Sequence, residues 1–363
     1  MWKLVAHSEL LTQHLRTLSL LFSFLECLVM RQIRFLAALM AVCLVGGVAT
    51  ATTQTLTYGI FTGGGPGSFN FSDNGTVNAI TLDAGGTTVS GPTTVLYQGG
   101  AGDSTFFYDH TAAGETFVAN GNSSEVVNSA GAAVAAVGDP VGVAVDEVNG
   151  YLFYTSRGAG EVYRAPLAPD GTVGASSVFL SGLTEPASLH FTSGSRLLVG
   201  EAGRISSVDP TNAASLTPLV TDIIGQTRGL EEDVANGTIY YSTDESDIIA
   251  KAPSAGGAST TILSGSGSFQ DILLDELNDR IILANFAVSN FFDTDGEIIS
   301  YAWDPVAGTI TDGGVTLLDQ AGIVDPPSNN AYFTGLGFLP VIPEPSTGLL
   351  LVLGAAGLAS RRN

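Results

Sequence analysis

Cysteine is nearly absent from this 363-residue chain: Cys27 and Cys43 are the only two, and both fall in an apolar N-terminal region. The long stretch after them has no disulfide, no thiolate metal site and no cysteine nucleophile. Histidine is almost as scarce. Beyond residue 51 only His110 and His190 remain, which excludes a three-histidine zinc centre. Positive charge is the third shortage: 13 Lys and Arg stand against 35 Asp and Glu, for a formal charge of −22. That is the reverse of the basic footprint a nucleic-acid partner requires. Residues 52–340 carry only seven basic side chains (Arg157, Arg164, Arg196, Arg204, Arg228, Lys251, Arg280) against 32 acidic ones. The same stretch lacks an apolar 3.6-residue period long enough for a long helix. It has no Gly-x-Ser-x-Gly elbow, and Gly63-Gly-Gly-Pro-Gly67 lacks the Lys-Ser/Thr of a phosphate loop.

What is present begins with two address-like ends. Met30-Arg-Gln-Ile-Arg34 is a short basic segment, Phe35 to Val48 is apolar, and Ala49-Thr-Ala51 supplies small residues for signal-peptidase cleavage after Ala51. Residues 1–29 read as an extension upstream of a true start at Met30; the other reading is a membrane helix over residues 17–29, short for a span of ~20 residues. At the other end, Val341-Ile-Pro-Glu-Pro-Ser-Thr347 precedes an apolar Gly348–Ala359 segment and a basic Ser360-Arg-Arg-Asn363. A box, an apolar segment and a basic stop in that order resemble the PEP-CTERM sorting signal. The resemblance implies Pro343, Glu344 and Pro345 as the recognition box and Arg361 and Arg362 as the cytoplasmic stop. It also implies export in a Gram-negative bacterium, transient inner-membrane anchoring, and processing by an exosortase-like membrane protease. An ordinary C-terminal anchor is the plainer alternative.

The body between the ends, 52–340, is a repeat. Runs of four to seven β-branched or aromatic residues are closed by Gly, Asp and Asn, as in Val141–Val145, Tyr151–Thr155 and Glu161–Ala165. Asp170-Gly171 marks a hairpin turn. Asp139-Pro140, Glu185-Pro186, Thr227-Arg228 and Gln270-Asp271 open successive copies at steps of 46, 42 and 43 residues. A central strand recurs in register as Leu152-Phe-Tyr154, Leu197-Leu-Val199, Ile239-Tyr-Tyr241 and Ile281-Ile-Leu283, with two more strands after each. Four short strands per ~43 residues is the spacing of a β-propeller blade.

The expected fold is thus all-β: a propeller of six four-stranded blades, with an N-terminal signal helix and a short C-terminal apolar helix outside it. A sandwich or a right-handed β-helix is the alternative. The first copy lacks an inner strand and Thr334–Leu339 is left over, so the ring is expected to close by pairing Leu56–Phe61 with Thr334–Leu339. The copy at 140–167 also resembles blades of the YWTD and NHL-type propellers. Phe153-Tyr-Thr-Ser156 and Tyr240-Tyr-Ser-Thr-Asp244 stand where that family's core motif lies, without its tryptophan. The resemblance implies that Asp residues after inner strands stitch blades together, a role that fits Asp146 and Asp275; Asp304 flanks a strand likewise.

Sites are fewer. Asp293, Asp295 and Glu297 sit in an Asp-x-Asp-Gly loop that resembles part of a calcium loop, though Phe291 and Ala302 occupy positions where acidic ligands belong. Ca²⁺ is the one cofactor considered; the plain reading is a turn-rich hairpin loop. Six-bladed lactonases hold a divalent metal in the channel, which makes Glu185, Asp139 and Asn285 candidates, outside any matching motif. His110 and His190, 80 residues apart in sequence, suggest packed or surface positions over a catalytic relay. Asn74, Asn122 and Asn236 head sequons that read equally as turns. The expectation is an exported surface or matrix module binding extracellular polysaccharide or another surface protein, with a metal-dependent lactonase as the alternative.

Overall fold

The computed structural model describes residues 53–63, 75–100, 105–121, 123–192, 196–244, 248–264, 269–285, 296–319 and 330–339. The chain divides into Met1–Thr52 and Thr53–Asn363, and every described residue belongs to the second unit. The expected signal and tail helices, the cleavage residues Ala49 and Ala51, and the sorting residues Pro343, Glu344, Pro345, Arg361 and Arg362 lie outside the described residues. Among the described residues every regular element is a strand.

Among the described residues twenty-five strands follow in chain order. The first three are β1 (Gln54–Gly63), β2 (Thr76–Leu82) and β3 (Val89–Gln98). Next come β4 (Thr105–His110), β5 (Thr116–Asn120), β6 (Glu125–Asn128) and β7 (Ala133–Ala136), then β8 (Val143–Asp146), β9 (Tyr151–Ser156), β10 (Glu161–Pro166) and β11 (Ser177–Leu180). The series continues with β12 (Ser188–Phe191), β13 (Leu197–Glu201), β14 (Arg204–Asp209) and β15 (Asn212–Val220), and with β16 (Thr227–Asp233), β17 (Thr238–Thr243), β18 (Ile248–Pro253) and β19 (Thr260–Ser264). It ends with β20 (Phe269–Asp275), β21 (Arg280–Asn285), β22 (Glu297–Asp304), β23 (Thr309–Ile310), β24 (Val315–Asp319) and β25 (Asn330–Phe338). They form six antiparallel sheets: β25-β1-β2-β3, β4 to β7, β8 to β11, β12 to β15, β16 to β19, and β20-β21-β22, whose outer edge carries both β23 and β24.

These sheets, numbered blades I to VI in the order just given, form a closed six-bladed propeller. The first strands β4, β8, β12, β16 and β20 each touch the next around the ring, and β25 touches both β20 and β4. The last strand thus completes the first blade. β1 runs antiparallel to β25 from Leu56↔Phe338 to Gly63↔Asn330, with a bulge between Tyr58 and Ile60. The pairing extends four residues upstream of the expected Thr334.

Six apolar clusters fill the six gaps between neighbouring blades. This explains the apolar central strands. Side chains on a strand alternate between its two faces. In β9, Leu152 and Tyr154 pack against blade II while Phe153 packs against blade IV. In β21, Ile281 and Leu283 face blade V while Ile282 and Ala284 face blade I. Both faces are buried, so the strand reads as a continuous apolar run and not as an alternation. Outer strand β3 is exposed over most of its length and is correspondingly polar.

The turns after three inner strands share one device. Asp146, Asp233 and Asp275 each accept the main-chain N–H and the side-chain amide of the Asn three residues on, at 2.7–3.2 Å. These carboxylates close the turn of their own blade, as side chains of this type do in tight turns. The blade-to-blade stitch expected of Asp146 and Asp275 is instead made by Asp109 and Asp271. Asp109 accepts Val145 N–H of the next blade at 2.7 Å, and Asp271 accepts Leu336 N–H at 2.7 Å. Asp304 caps an outer turn through Val306 and Ala307 N–H.

Candidate functional site

The inner strands converge on the ring axis and leave a cavity of about 320 Å³ there. All six blades contribute to its wall: Tyr108 and Asp109 from β4, Val145 from β8, His190 from β12, Arg228 and Glu231 from β16, Asp271 from β20, and Leu336 from β25. Tight packing of the inner strands positions these side chains. Gly229 lies so close to β20 that a Cβ there would come within 2.5 Å of Ile272 N.

Charge in the cavity is concentrated and mostly paired. His190 Nδ1 lies 3.4 Å from Glu231 Oε1, and these side chains keep 19% and 20% of their surface exposed, so solvent reaches the pair. Burial pulls the His190 imidazole down, but the Glu231 charge and hydrogen bond, with Asp109 and Glu232, leave it above its ordinary value. Burial pushes the Asp109 carboxyl up to about 6, against the opposing pull of N–H bonds from Val145 and His110 and of the His190 charge. Burial likewise holds Asp271 well above the usual carboxylate range, opposed by the N–H groups of Leu336 and Ile272. Arg228 reaches Asp244 at 3.0 Å and its guanidinium is lowered, chiefly by burial. Among the described residues its buried Nε–H has no hydrogen-bond partner. Phe107, Phe191 and Phe338 add aromatic surface to the wall.

The two histidines, distant in sequence, therefore line one cavity. Their roles differ. His110 is tied by its two ring nitrogens to Thr116 and Thr57 hydroxyls at 2.9 and 3.1 Å, and burial lowers it to about 4. It is a neutral pin between blades I and II. His190 faces the carboxylates. Repeat spacing gives no sign of either role, because residue type at one inner-strand position varies freely from blade to blade.

Other sequence-derived sites fare differently. Asp139, Glu185 and Asn285 do not line the cavity. Asp139 instead takes Arg157 in a two-pronged ion pair at 2.8 and 3.0 Å. Asp293 and Asp295 lie outside the described residues, and Glu297 accepts the Thr316 hydroxyl at 3.1 Å. Among the described residues no three His, Cys, Asp or Glu side chains are arranged to hold a metal. Asn236 sits in the Asp233 turn, while Asn74 and Asn122 are outside the described residues. No described helix is long and apolar enough to cross a membrane.

Comparison with known proteins bears on the end of the chain and on the fold. Residues 341–363 match the model of the PEP-CTERM protein-sorting motif. The chain carries that sorting motif. The match spans Pro343, Glu344, Pro345, Arg361 and Arg362, and the PEP-CTERM motif implies export and exosortase processing. The propeller is similar to the Pseudomonas aeruginosa periplasmic gluconolactonase PpgL at 16% identity, covering 78% of this chain and 85% of that one, with a TM-score of 0.52. A Bacteroides caccae protein of unknown function is similar at 10% identity over 79% of this chain and 99% of that one, with a TM-score of 0.51. A putative 6-phosphogluconolactonase of Bacteroides uniformis is similar at 13% identity over 73% and 81%, with a TM-score of 0.50. At these identities the likeness is one of fold alone. No curated protein sequence matches the chain.

Proposed function

We propose that this PEP-CTERM chain is a surface or matrix binding module, presented outside the cell by a closed propeller and recognising a component of the extracellular polymer. The observation that carries the reading is the succession of a complete ring and, directly after it, a sorting motif. The acidic excess suits this setting, since it keeps an exported ring soluble and apart from anionic surfaces at short range. Transient anchoring in the inner membrane, then release to the surface, follows from the same reading. Two measurements test it. Fractionation of the host with and without its exosortase, with mass spectrometry of the chain ends, should shift the protein from surface to membrane when the protease is lost. Purified extracellular polymer should retain the 52–340 ring and not a charge-matched control; equal retention refutes the binding role.

A hydrolase in the channel is the second reading. It is favoured by the His190–Glu231 pair beside Asp109, a carboxyl that titrates near 6 and so lies close to the working range of a general acid. It differs from the metal-dependent lactonase that the sequence offers as the alternative, whose candidate ligands Asp139, Glu185 and Asn285 are not at the cavity. Turnover of sugar lactones by the metal-depleted protein, abolished in Glu231→Gln, is the result that establishes it.

A further inference from the structure

We infer that the axial cavity is a binding site for one uncharged, hydroxylated ring of hexose size, such as a neutral sugar unit. The inference rests on the binding reading and names its ligand class. Three features carry it. The first is size: about 320 Å³ lies at the small end of ligand pockets, enough for a single ring and too little for a folded peptide segment. The second is the kind of polar group on the wall. His190 is paired with Glu231 and Arg228 with Asp244, so their charges are balanced within the protein while the remaining lone pairs and N–H groups stay fixed in direction. Paired, immobile donors and acceptors suit vicinal hydroxyls, which both donate and accept. The third is a fixed cationic donor. The Arg228 side chain lines the cavity and keeps 15% of its surface exposed, so its guanidinium presents N–H groups there while its deeper Nε–H is buried. A ligand hydroxyl can accept from such a group. Phe107, Phe191 and Phe338 offer apolar faces for the C–H side of such a ring.

The balance of charge also sets what is refused. Asp109, Glu147, Glu231 and Asp271 are four carboxyls on the wall against His190 and Arg228, with Arg228 already matched by Asp244. A uronic acid or phosphosugar brings a further negative charge into that field and is disfavoured.

Ligand-detected NMR and calorimetry on the full chain in detergent, with glucose, galactose and mannose against glucuronate and galacturonate, test the site. At least one neutral hexose should bind, and the uronates should not. Glu231→Gln and Arg228→Met should weaken binding about tenfold, whereas Glu161→Gln, on β10 and away from the cavity wall, should leave it unchanged. Two results overturn the assignment: no neutral hexose binds the wild type, or binding persists undiminished in both cavity variants. Should Glu231→Gln leave the ring folded and still retained on native polymer, the binding module stands and the channel assignment falls, so the two readings fail separately.

Discussion

Phe333→Ala tests ring closure where it is most exposed to error. Phe333 is fully buried on β25, with its ring centroid 5.8 Å from that of Tyr58, in the cluster that joins blades I and VI. A phenylalanine buries roughly 150–200 Å². At about 25 cal/mol per Å² the transfer term alone is near 4–5 kcal/mol, consistent with the ~3–5 kcal/mol typical of Phe→Ala in cores. Against a usual total of ~5–15 kcal/mol that is a large share. Equilibrium urea unfolding of the 52–340 ring should show a lower midpoint with an unchanged slope, because the whole ring loses stability together. Phe117→Ala, equally buried at the blade II–III gap, provides the comparison and should cost a similar amount. If Phe333→Ala costs under about 1 kcal/mol while Phe117→Ala shows the full loss, β25 frays independently and the closure described here is wrong. A separate low-denaturant transition seen only in Phe333→Ala refutes the cooperative ring equally.

Three further outcomes follow from particular contacts. Gly229→Ala should destabilise the ring by about 1–3 kcal/mol, because the added Cβ meets the β20 main chain and cannot be relieved by a rotamer change; thermal unfolding measures it. Asp275→Ala should cost about 1–2 kcal/mol through loss of the turn bonds to Asn278, and slower amide exchange at Asn278 in the variant than in the wild type contradicts this. Asp109 titrates near 6 in the fold against an unfolded value near 3.9, so the folded chain holds the proton more tightly. Its contribution is present below pH ~4 and is lost as pH rises through ~6, by at most about 3 kcal/mol. Asp109→Asn should flatten that part of the profile in denaturant midpoints taken from pH 4 to 8; an unchanged slope means that Asp109 is ionised throughout.

The propeller was legible in the sequence because its physics repeats. Each central strand is squeezed between two blades, so Leu152–Tyr154 and Ile281–Leu283 announce themselves as apolar runs at a steady interval. The unpaired start of blade I and the spare segment near residue 334 together marked the closure. The cavity was not legible for the converse reason. Asp109, His190, Glu231 and Asp271 come from four blades, at positions where the repeat imposes no common residue, and only the ring brings them together. The stitching carboxylates escape a sequence reading for a related reason. Asp146 and Asp275 stand out at strand ends, whereas Asp109 and Asp271 are hidden inside strands whose neighbours across the gap are set by topology alone.

The position of β25 also sets a timetable. Export delivers a chain from its N-terminus onward, and domains begin to fold in that order. Here blades II to VI become available in sequence, yet the first blade waits for the last strand: Leu56 has no partner on its inner side until Phe338 has crossed. Joining ends this far apart costs only about 4 kcal/mol more loop entropy than a short hairpin, but it is slow, since the partners must first find each other. During that interval β1 and β20 present open flanks to whatever surrounds them. The sorting motif begins at residue 341, two residues beyond Leu339. Under the anchoring proposed above, a tether at that point would hold the unfinished ring at the membrane, apart from other half-closed copies, for as long as the final strand takes to dock.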